Sequence, residues 1–331
     1  LDSSTIALFL KEFPKLTTYS LWHDQFENSE AALAEESANI LGLKHKNINL
    51  SSANIENLLD LVTKNQIKPQ GYSSFLNWYW ISLHISKFSK VVISGDGGDE
   101  VFGGYRWYKR FSKKERIFGF LNSIKNSIDF DFYKLSRKSK LHRHWILQFP
   151  RFLPYESCEM LQIQKSEFND ELLISNLEMF FQSDIPYLDA IRRVDLMTFC
   201  SDHICRKTDE MSMAHSLEVR APFLDRRVIE IGMSHSINEY SDSESKLILR
   251  RLLEKNNLKK ISTKPKQGFS LNLDNYNFLK LINKISSSKI VSDGIINNDY
   301  LNILQKPCFY KNARIFTLAN LSNWYENNLV Q

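Results

Sequence analysis

Residues 91–105 read VVISGDGGDEVFGGY and join a short apolar strand to a glycine-rich acidic loop. The chain contains 11 glycines, and five of them fall within ten consecutive positions of this segment. A loop without side chains lets backbone N–H groups approach a ligand closely. Its carboxylates, Asp96, Asp99 and Glu100, would repel phosphate unless a cation lay between them. The segment therefore predicts a Mg²⁺ site that bridges to nucleotide phosphates.

The alternative is an ordinary strand-to-helix turn. In that interpretation Asp99 and Glu100 only complement the dipole of the helix that follows. This would explain one or two acidic residues at the start of a helix, but it would not explain the run Gly-Asp-Gly-Gly.

Upstream of the loop, strand and helix patterns alternate. Strands are predicted at Thr17–Trp22, His45–Leu50 and Val91–Ile93, and helices at Thr5–Glu12, around Ala32–Leu41, at Ser51–Lys64 and at Phe75–Ile85. Asp2, Ser3 and Ser4 are suitable N-cap residues for the first helix. The alternation predicts an α/β fold with a parallel, doubly wound, Rossmann-like sheet. In such sheets ligands bind at the carboxyl ends of the strands.

Strand signals fade after residue 110, and the rest of the chain predicts helices joined by irregular loops. We therefore expect a nucleotide-binding α/β core over residues 1–110 and a largely helical remainder over residues 111–331. The boundary is expected inside one continuous structure rather than at a flexible linker.

Composition excludes several classes of protein. No apolar run is long enough to span a membrane, and the four cysteines show no CxxC spacing that would indicate a zinc site. A reducing, cytoplasmic setting is expected. The net charge of +5 gathers between Arg106 and Arg143. A solvated helical surface explains this basic segment better than nucleic-acid binding does, because charge runs usually have that origin.

Four blocks resemble the asparagine synthetase family, a branch of the ATP pyrophosphatases. They are LDSS at residues 1–4, SGDGGDEVFGGY at 94–105, KTDEMSMAHSLEVRAPFLD at 207–225 and KPKQGFS at 264–270. One such block would be a weak signal, but four in the same order are specific. The resemblance covers roughly residues 1 to 275.

The resemblance implies a reaction and its cofactors. Members of the family bind ATP with Mg²⁺, activate a substrate carboxylate as an acyl-adenylate, release pyrophosphate and aminolyse the adenylate with ammonia. Asp2 and Asp99 match the metal-binding carboxylates. Ser3 and Ser4 match residues that hydrogen-bond phosphate oxygens at a helix N-terminus.

Further residues take roles from the same resemblance. Ser94 and Gly95 match positions that meet the ribose and the α-phosphate, and Trp22 ends the strand that contacts adenine through its backbone. Two residues match catalytic positions. Asp96 would accept a proton from the incoming ammonia, and Lys266 would face the α-phosphate under attack.

The middle block combines charged and apolar residues. Lys207, Asp209, Glu218 and Arg220 are predicted to form a buried, salt-bridged scaffold behind the site, since buried charges need partners. His215 is expected to be a hydrogen-bonded structural histidine rather than a ligand.

The sequence departs from the family pattern in three places. The resemblance places a strand ending in Ser-Gly-Gly before Leu1, so the sheet is expected to be truncated at its first strand and phosphate loop, and this chain alone is expected to be inactive. It also places an upstream glutaminase domain, with an N-terminal cysteine, in the full-length protein. Where the family has a Glu-Pro-Phe-x-Asp-like stretch, residues 67–72 read IKPQGY, which weakens the case for aspartate as the substrate.

The leading hypothesis is glutamine-dependent asparagine synthesis. The alternatives are an amidotransferase for another carboxylate, such as a sugar acid of a surface polysaccharide, a tRNA-modifying ATP pyrophosphatase, and a decayed, non-catalytic synthetase-like binding protein. The middle and late blocks disfavour the tRNA-modifying alternative. Retention of Asp96, Asp99 and Lys266 disfavours decay. A homodimer stays open as the assembly.

Overall fold

The structure is a computed structural model that describes residues 1–13, 15–22, 30–50, 54–105, 107–108, 152, 154–164, 177–181, 184–237, 245–263, 278–305 and 311–329. Lys266 and nearly all of the basic segment between Arg106 and Arg143 lie outside the described residues.

Helices and strands alternate along the first hundred residues. The elements are α1 (Asp2–Leu10), β1 (Thr17–Trp22), α2 (Glu30–Ile40), β2 (Lys44–Asn49), α3 (Ile55–Thr63), α4 (Ser74–Ile85), β3 (Val91–Ile93) and α5 (Gly98–Phe102). The predicted strands β1 and β3 are confirmed to the residue. The first helix begins earlier than predicted, with Leu1 at its N-cap and no capping side chain, so Asp2 lies inside the first turn. The prediction that Asp2 caps this helix is therefore wrong.

The rest of the described chain is mainly helical. Its elements are α6 (Pro154–Met160), a 3₁₀ turn (Glu178–Phe180), α7 (Tyr187–Asp195), a π-helix (Leu196–Cys205), α8 (Arg206–Met213), β4 (Glu218–Arg220), a 3₁₀ turn (Pro222–Leu224), α9 (Arg226–Ser234), α10 (Leu247–Lys255), α11 (Lys259–Ser262), α12 (Phe278–Ser286), α13 (Lys289–Ser292), α14 (Asn298–Gln305) and α15 (Lys311–Asn328). Strand β4 corrects the expectation that this region contains only helices and loops. A three-residue strand with one apolar side chain carries too little periodicity to be recognised.

The strands form two small parallel sheets. Strand β1 pairs with β2, and β3 pairs with β4 in the register Val91–Glu218, Val92–Val219 and Ile93–Arg220. The N–H of Ser94 donates to the carbonyl of Arg220 at 2.8 Å, so the pairing continues into the glycine-rich loop. The architecture is mixed α/β, as predicted. No helix in the described ranges is long and apolar enough to cross a membrane.

The first of two compact units comprises Leu1–Leu58, Ser74–Lys109 and Arg192–Phe269. One limit of this unit falls at Lys109, next to the boundary predicted at residue 110. The unit also includes the segment 192–269, which lies well beyond that boundary. One apolar cluster joins α5 to the elements after the π-helix through Val101, Phe102, Phe223 and Leu249. A second cluster, which includes Ile81, Ile85 and Leu217, packs under both sheets. These two clusters hold the glycine-rich loop in place, because they pack β3 and α5, on either side of its turn, against the segment 192–269.

The second unit comprises Leu59–Ser73, Arg110–Ile191 and Ser270–Gln331. The fully buried side chain of Asn320 on α15 donates to the side-chain oxygen of Gln66 and to the carbonyl of Gln70. The indole N–H of Trp324 donates to the carbonyl of Gln66 at 2.8 Å. Polar contacts with α15 therefore anchor the stretch around residues 66–72.

Among the described residues of the first unit, Arg192 is the largest fully buried side chain. Its guanidinium donates to the carbonyls of Val101 at 3.1 Å, Gly232 at 3.2 Å and His235 at 2.9 Å. One side chain thus ties the end of α5 to the C-terminal end of α9. Hydrogen bonds from a charged donor are stronger than neutral ones, and carbonyls left without a donor in the interior are costly.

We expect Arg192→Met to keep most of the side-chain volume but to lower the free energy of unfolding by on the order of 3 kcal/mol, since two buried carbonyls and one partly buried carbonyl lose their donor. Urea denaturation followed by circular dichroism measures this change. Arg226→Met is the matched control, because Arg226 is exposed and, among the described ion pairs, contacts only Glu230 on the same helix. Equal stability of the two variants would contradict the structural role of Arg192.

Candidate active site

The glycine-rich loop turns the chain sharply from β3 into α5. Gly97 has φ +85°, a left-handed conformation that side chains disfavour, and it forms the N-cap of α5. A Cβ at Gly97 would also lie 2.3 Å from a methyl carbon of Leu224. The turn therefore requires glycine on both conformational and packing grounds.

Two other glycines make room for charged side chains. A Cβ at Gly98 would lie 2.9 Å from Cγ of Asp2, and a Cβ at Gly104 would lie 1.9 Å from Oδ1 of Asp99 and 2.1 Å from Cε of Lys246. A side chain at Gly98 would collide with Asp2, and one at Gly104 would collide with Asp99 and Lys246. The Gly-Asp-Gly-Gly run, which a simple turn does not explain, follows from this close packing.

Lys246 joins the two carboxylates that the sequence predicts as metal ligands. Its Nζ lies 2.5 Å from Oδ2 of Asp2 and 2.7 Å from Oδ1 of Asp99, and its side chain is only 4% exposed. Burial alone would lower the pKa of Lys246, but the charges and hydrogen bonds of both carboxylates outweigh it and raise that pKa. The lysine is therefore a buried ammonium at neutral pH.

Sequence reasoning missed Lys246. The residue has φ +57° and stands at the N-cap of α10, so it combines a strained backbone with a cation at the positive end of a helix. A lysine directly before an amphipathic helix was the available signal, because cations are disfavoured there. Its partners, more than 140 residues away in the sequence, could not be identified from local pattern.

Asp96 lies half-buried in the same loop. The hydroxyls of Ser94 and Thr208 both donate to its Oδ2 at 2.9 Å. Burial raises the pKa of Asp96, although the nearby charge of Lys207 and the two hydroxyl donors lower it. A half-buried carboxyl whose pKa is raised beside a cluster of charges is typical of catalytic acids and bases.

Glu100 takes a different place from the other two carboxylates. It is 1% exposed and accepts the hydroxyl of Tyr105 at 2.6 Å. The charges of Glu100 and Asp99, together with burial, keep the pKa of Tyr105 well above its usual value. Of the three acidic residues of the loop, only Asp99 pairs with Lys246 in the described contacts.

The remaining predicted site residues lie at two places, where α1 begins beside the glycine-rich loop and where β1 ends. Ser3 is exposed and Ser4 half-buried at the start of α1, and a Cβ at Gly95 would lie 3.1 Å from the backbone N of Ser3. Gly95 and the start of α1 are therefore adjacent. Trp22 is 36% exposed at the end of β1, and its carbonyl already accepts the N–H of Leu50 at 2.8 Å.

The middle block agrees with its prediction only in part. Lys207 is buried as expected, whereas Asp209 is exposed. Glu218 and Arg220 pair at 2.8 Å, but their side chains are 54% and 67% exposed, so the prediction that they form a buried scaffold is wrong. They alternate with Val219 along β4, and both therefore point to the open face of the strand.

His215 packs as a structural residue. Its ring meets Tyr79 edge to face, with 4.4 Å between ring centroids. Burial lowers the pKa of His215, and the charge of His84 lowers it further. A neutral imidazole packed against a tyrosine agrees with the structural role predicted for it.

Comparison with known proteins gives a consistent family. The asparagine synthase family model matches residues 1–326. The chain is 28% identical to glutamine-hydrolysing asparagine synthetase 1 of Bacillus subtilis, over 99% of the chain and 55% of that protein. It is 26% identical to a putative glutamine-hydrolysing asparagine synthetase of Mycobacterium bovis, over 81% of the chain and 43% of that protein.

A shorter match is 34% identical to putative glutamine-hydrolysing asparagine synthetase 2 of Methanocaldococcus jannaschii, over 32% of the chain and 21% of that protein. The chain spans about half the length of the first two relatives. The family model, by contrast, covers nearly all of the chain, including the loop, α1 and Lys246. The chain belongs to the asparagine synthase family.

Proposed function

We propose that this chain is the ATP-dependent synthetase part of a glutamine-dependent asparagine-forming enzyme. It would activate the carboxylate of aspartate as an acyl-adenylate, with release of pyrophosphate, and pass the acyl group to ammonia. The observation that supports this most is the buried Lys246, which lies between Asp2 and Asp99 beside the glycine-rich loop. Positive charge and free backbone at one place suit a polyphosphate.

Asp2 and Asp99 fit the Mg²⁺ that this chemistry calls for. Oδ1 of Asp2 is buried and makes no hydrogen bond with the described residues, and carboxylate oxygens are preferred ligands of this ion. No cluster of three or more His, Cys, Asp or Glu side chains suited to a metal occurs in the described ranges. Asp2 and Asp99 would therefore hold the ion together with phosphate oxygens and water. When bound, it would neutralise charge on the departing pyrophosphate.

Lys246 would supply a second positive charge. Its buried ammonium is fixed by two half-buried carboxylates and needs no reorganisation, which is the condition under which electrostatic stabilisation is most effective. It keeps Asp2 and Asp99 from repelling each other and directs the pair towards the loop.

Asp96 is proposed as the proton acceptor. Ser94 and Thr208 both bind its Oδ2, so Oδ1 is the oxygen available to the incoming ammonia. The raised pKa of Asp96 favours proton uptake, because a base with a pKa closer to the working pH is more effective. Thr208 would keep the carboxyl in place throughout.

The other predicted roles stay proposals. Ser3, Ser4 and Gly95 would bind phosphate oxygens and Ser94 would lie near the α-phosphate, which is supported by the closeness of Gly95 to the start of α1. Trp22 would contact adenine, and Lys266 would face the phosphorus under attack. The doubly wound sheet, the α/β core over residues 1–110 and an upstream glutaminase domain that supplies ammonia also remain proposals.

A second candidate is amidation of another carboxylate, such as a sugar acid. Residues 67–72, IKPQGY, favour it, because they reverse one acidic charge of the family pattern to a lysine and remove another. This change alters the charge that the chain offers to a substrate.

ATP–pyrophosphate exchange in the natural full-length protein separates the two candidates. We expect aspartate to stimulate the exchange, and a uronic acid to leave it at the background rate. Stimulation by the uronic acid alone would transfer the assignment to the second candidate. No exchange with either carboxylate would contradict an adenylate-forming function.

Changing Lys246→Met is expected to lower the exchange rate about 100-fold, the scale on which a preorganised charge at a reacting centre acts. Lys260→Met is the matched control, because Lys260 is exposed and pairs with Glu36 on the surface. Thermal unfolding is recorded beside the exchange rate, so that loss of folded protein is counted separately. A loss of less than about tenfold in well-folded Lys246→Met would contradict the role of this lysine.

Changing Asp96→Asn is expected to abolish most amide formation and to stabilise the protein. The folded state binds the Asp96 proton more tightly than the unfolded state, because burial raises its pKa. As the pH rises above the ordinary carboxyl pKa of about 4 and through the raised value, the parent protein loses stability and the neutral variant does not. The gap in unfolding temperature, measured without divalent metal, should therefore widen as the pH rises from about 4 and level off once the pH exceeds the raised pKa of Asp96.

Asp202→Asn is the control for this stability effect, since Asp202 is exposed and contacts only the neighbouring Ser201 in the described hydrogen bonds. The difference in unfolding temperature between Asp202→Asn and the parent protein should be small at every pH. A gap for Asp96→Asn that does not change with pH would show that burial does not perturb this carboxyl.

A further inference from the structure

The π-helix that leads into α8 brings two cysteines together. The Sγ atoms of Cys200 and Cys205 lie 3.9 Å apart. Cys200 is 1% exposed, and Cys205 is half-buried. Neither thiol takes part in the reaction proposed above.

The wide helix is what makes this contact possible. In an α-helix, residues five apart rise by about 7.5 Å along the axis alone, so their Cα atoms exceed the roughly 7 Å limit for a disulfide. A π-helix has i→i+5 hydrogen bonds and places such residues one above the other. The segment Leu196–Cys205 is π-helical over ten residues, and Cys200 in its middle and Cys205 at its end have their thiols in contact.

The two thiols differ in reactivity. The hydrogen bond from Cys200 lowers the pKa of Cys205, although burial and the carboxylates of Asp96 and Glu100 oppose the shift. The same hydrogen bond and burial raise the pKa of Cys200 far above its usual value. Cys205 is therefore both the more accessible thiol and the one that ionises first.

We propose that Cys200 and Cys205 form a thiol-modification site that reacts with a small-molecule disulfide, such as oxidised glutathione, and closes into an intramolecular disulfide. The Cys205 thiolate attacks one sulfur of glutathione disulfide, which forms a mixed disulfide and releases one glutathione thiolate. Cys200 then attacks Sγ of Cys205. The second glutathione leaves as a thiol with the Cys200 proton, so two protein thiols are oxidised and one glutathione disulfide is reduced.

Closure would act on the candidate active site. The sulfurs must move from 3.9 Å to about 2 Å apart, and Cys205 stands directly before α8. Thr208, three residues further on, donates to Asp96. A shift of this turn would displace the hydroxyl that positions Asp96, so oxidation is expected to lower activity. This consequence rests on the proposed function, whereas the disulfide itself does not.

The chemical test uses the natural full-length protein. After incubation with oxidised glutathione, free thiols are alkylated and a non-reduced tryptic digest is analysed by mass spectrometry. Both cysteines fall in one tryptic peptide, residues 194–206. We expect this peptide to lack alkyl groups and to be two hydrogen atoms lighter than the reduced form. Recovery of the peptide with both cysteines alkylated, or with glutathione retained on Cys205, would overturn the proposal.

Three variants sharpen this test. Cys200→Ser should stop at the glutathione adduct on Cys205, and Cys205→Ser should take up no glutathione at Cys200, which is inaccessible. Cys158→Ser should behave like the parent protein, because Cys158 lies buried on α6. A glutathione adduct on Cys200 in the Cys205→Ser variant would contradict the assigned order of attack.

Activity gives a separate result. The oxidised protein should lose amide formation roughly 100-fold, the cost of a misplaced catalytic group, and dithiothreitol should restore it. Cys205→Ser should keep its activity under the same oxidant. If the disulfide forms and the rate of amide formation is unchanged, the link to Asp96 is refuted while the modification site stands. If the reduced protein shows no exchange at all, the proposed function fails and the mass result still decides the site.

Discussion

The candidate site depends on one buried ammonium. Lys246 lies within hydrogen-bond distance of Asp2 and Asp99, and these residues come from the first helix, the glycine-rich loop and the start of α10. Two carboxylates in a protein interior repel each other strongly unless a cation lies between them. The ion pairs therefore hold three distant segments of the chain together, and they do so at the place where the sequence predicts a metal and a polyphosphate.

The glycines of the loop follow from this constraint. The side chains of Asp2 and Lys246 occupy the space where Cβ atoms of Gly98 and Gly104 would lie. A loop of ordinary residues would push the helix and the lysine away, and the charges would separate. The same absence of side chains leaves backbone N–H groups open to a ligand, so close packing and ligand access have one cause.

A continuous run of helices, from α7 through the π-helix to α8, serves both proposals. Its α8 end carries Thr208, which fixes Asp96, and its π-helical part carries the two thiols in contact. Wide helical turns are energetically unfavourable and are often found at functional sites. Here Cys205 stands one turn before Thr208, the residue that positions the proposed base. In our proposal, a disulfide at Cys205 would act on Asp96 through these three residues of helix.

Much of the fold could be predicted from the sequence, because local periodicity is enough for it. Strands β1 and β3 and the helices between them lie where alternating or helical apolar spacing predicts them, and the motif order predicts the family that the comparisons show. Strand β4 was not predicted, because three residues are too few to show a period. The burial expected for Glu218 and Arg220 was wrong because their charged side chains occupy the open face of that strand.

Sequence alone determined the class of fold, the family and the set of acidic residues at the loop, since each depends on residues close together in the chain. Only the tertiary structure decided how those residues are used. It paired Asp99 with Lys246, turned Glu100 to Tyr105, and set Cys200 against Cys205 through a helix type that no spacing rule indicates. The physical reason is that charge pairing and burial depend on distances in space between residues far apart in sequence, and a one-dimensional pattern does not contain those distances.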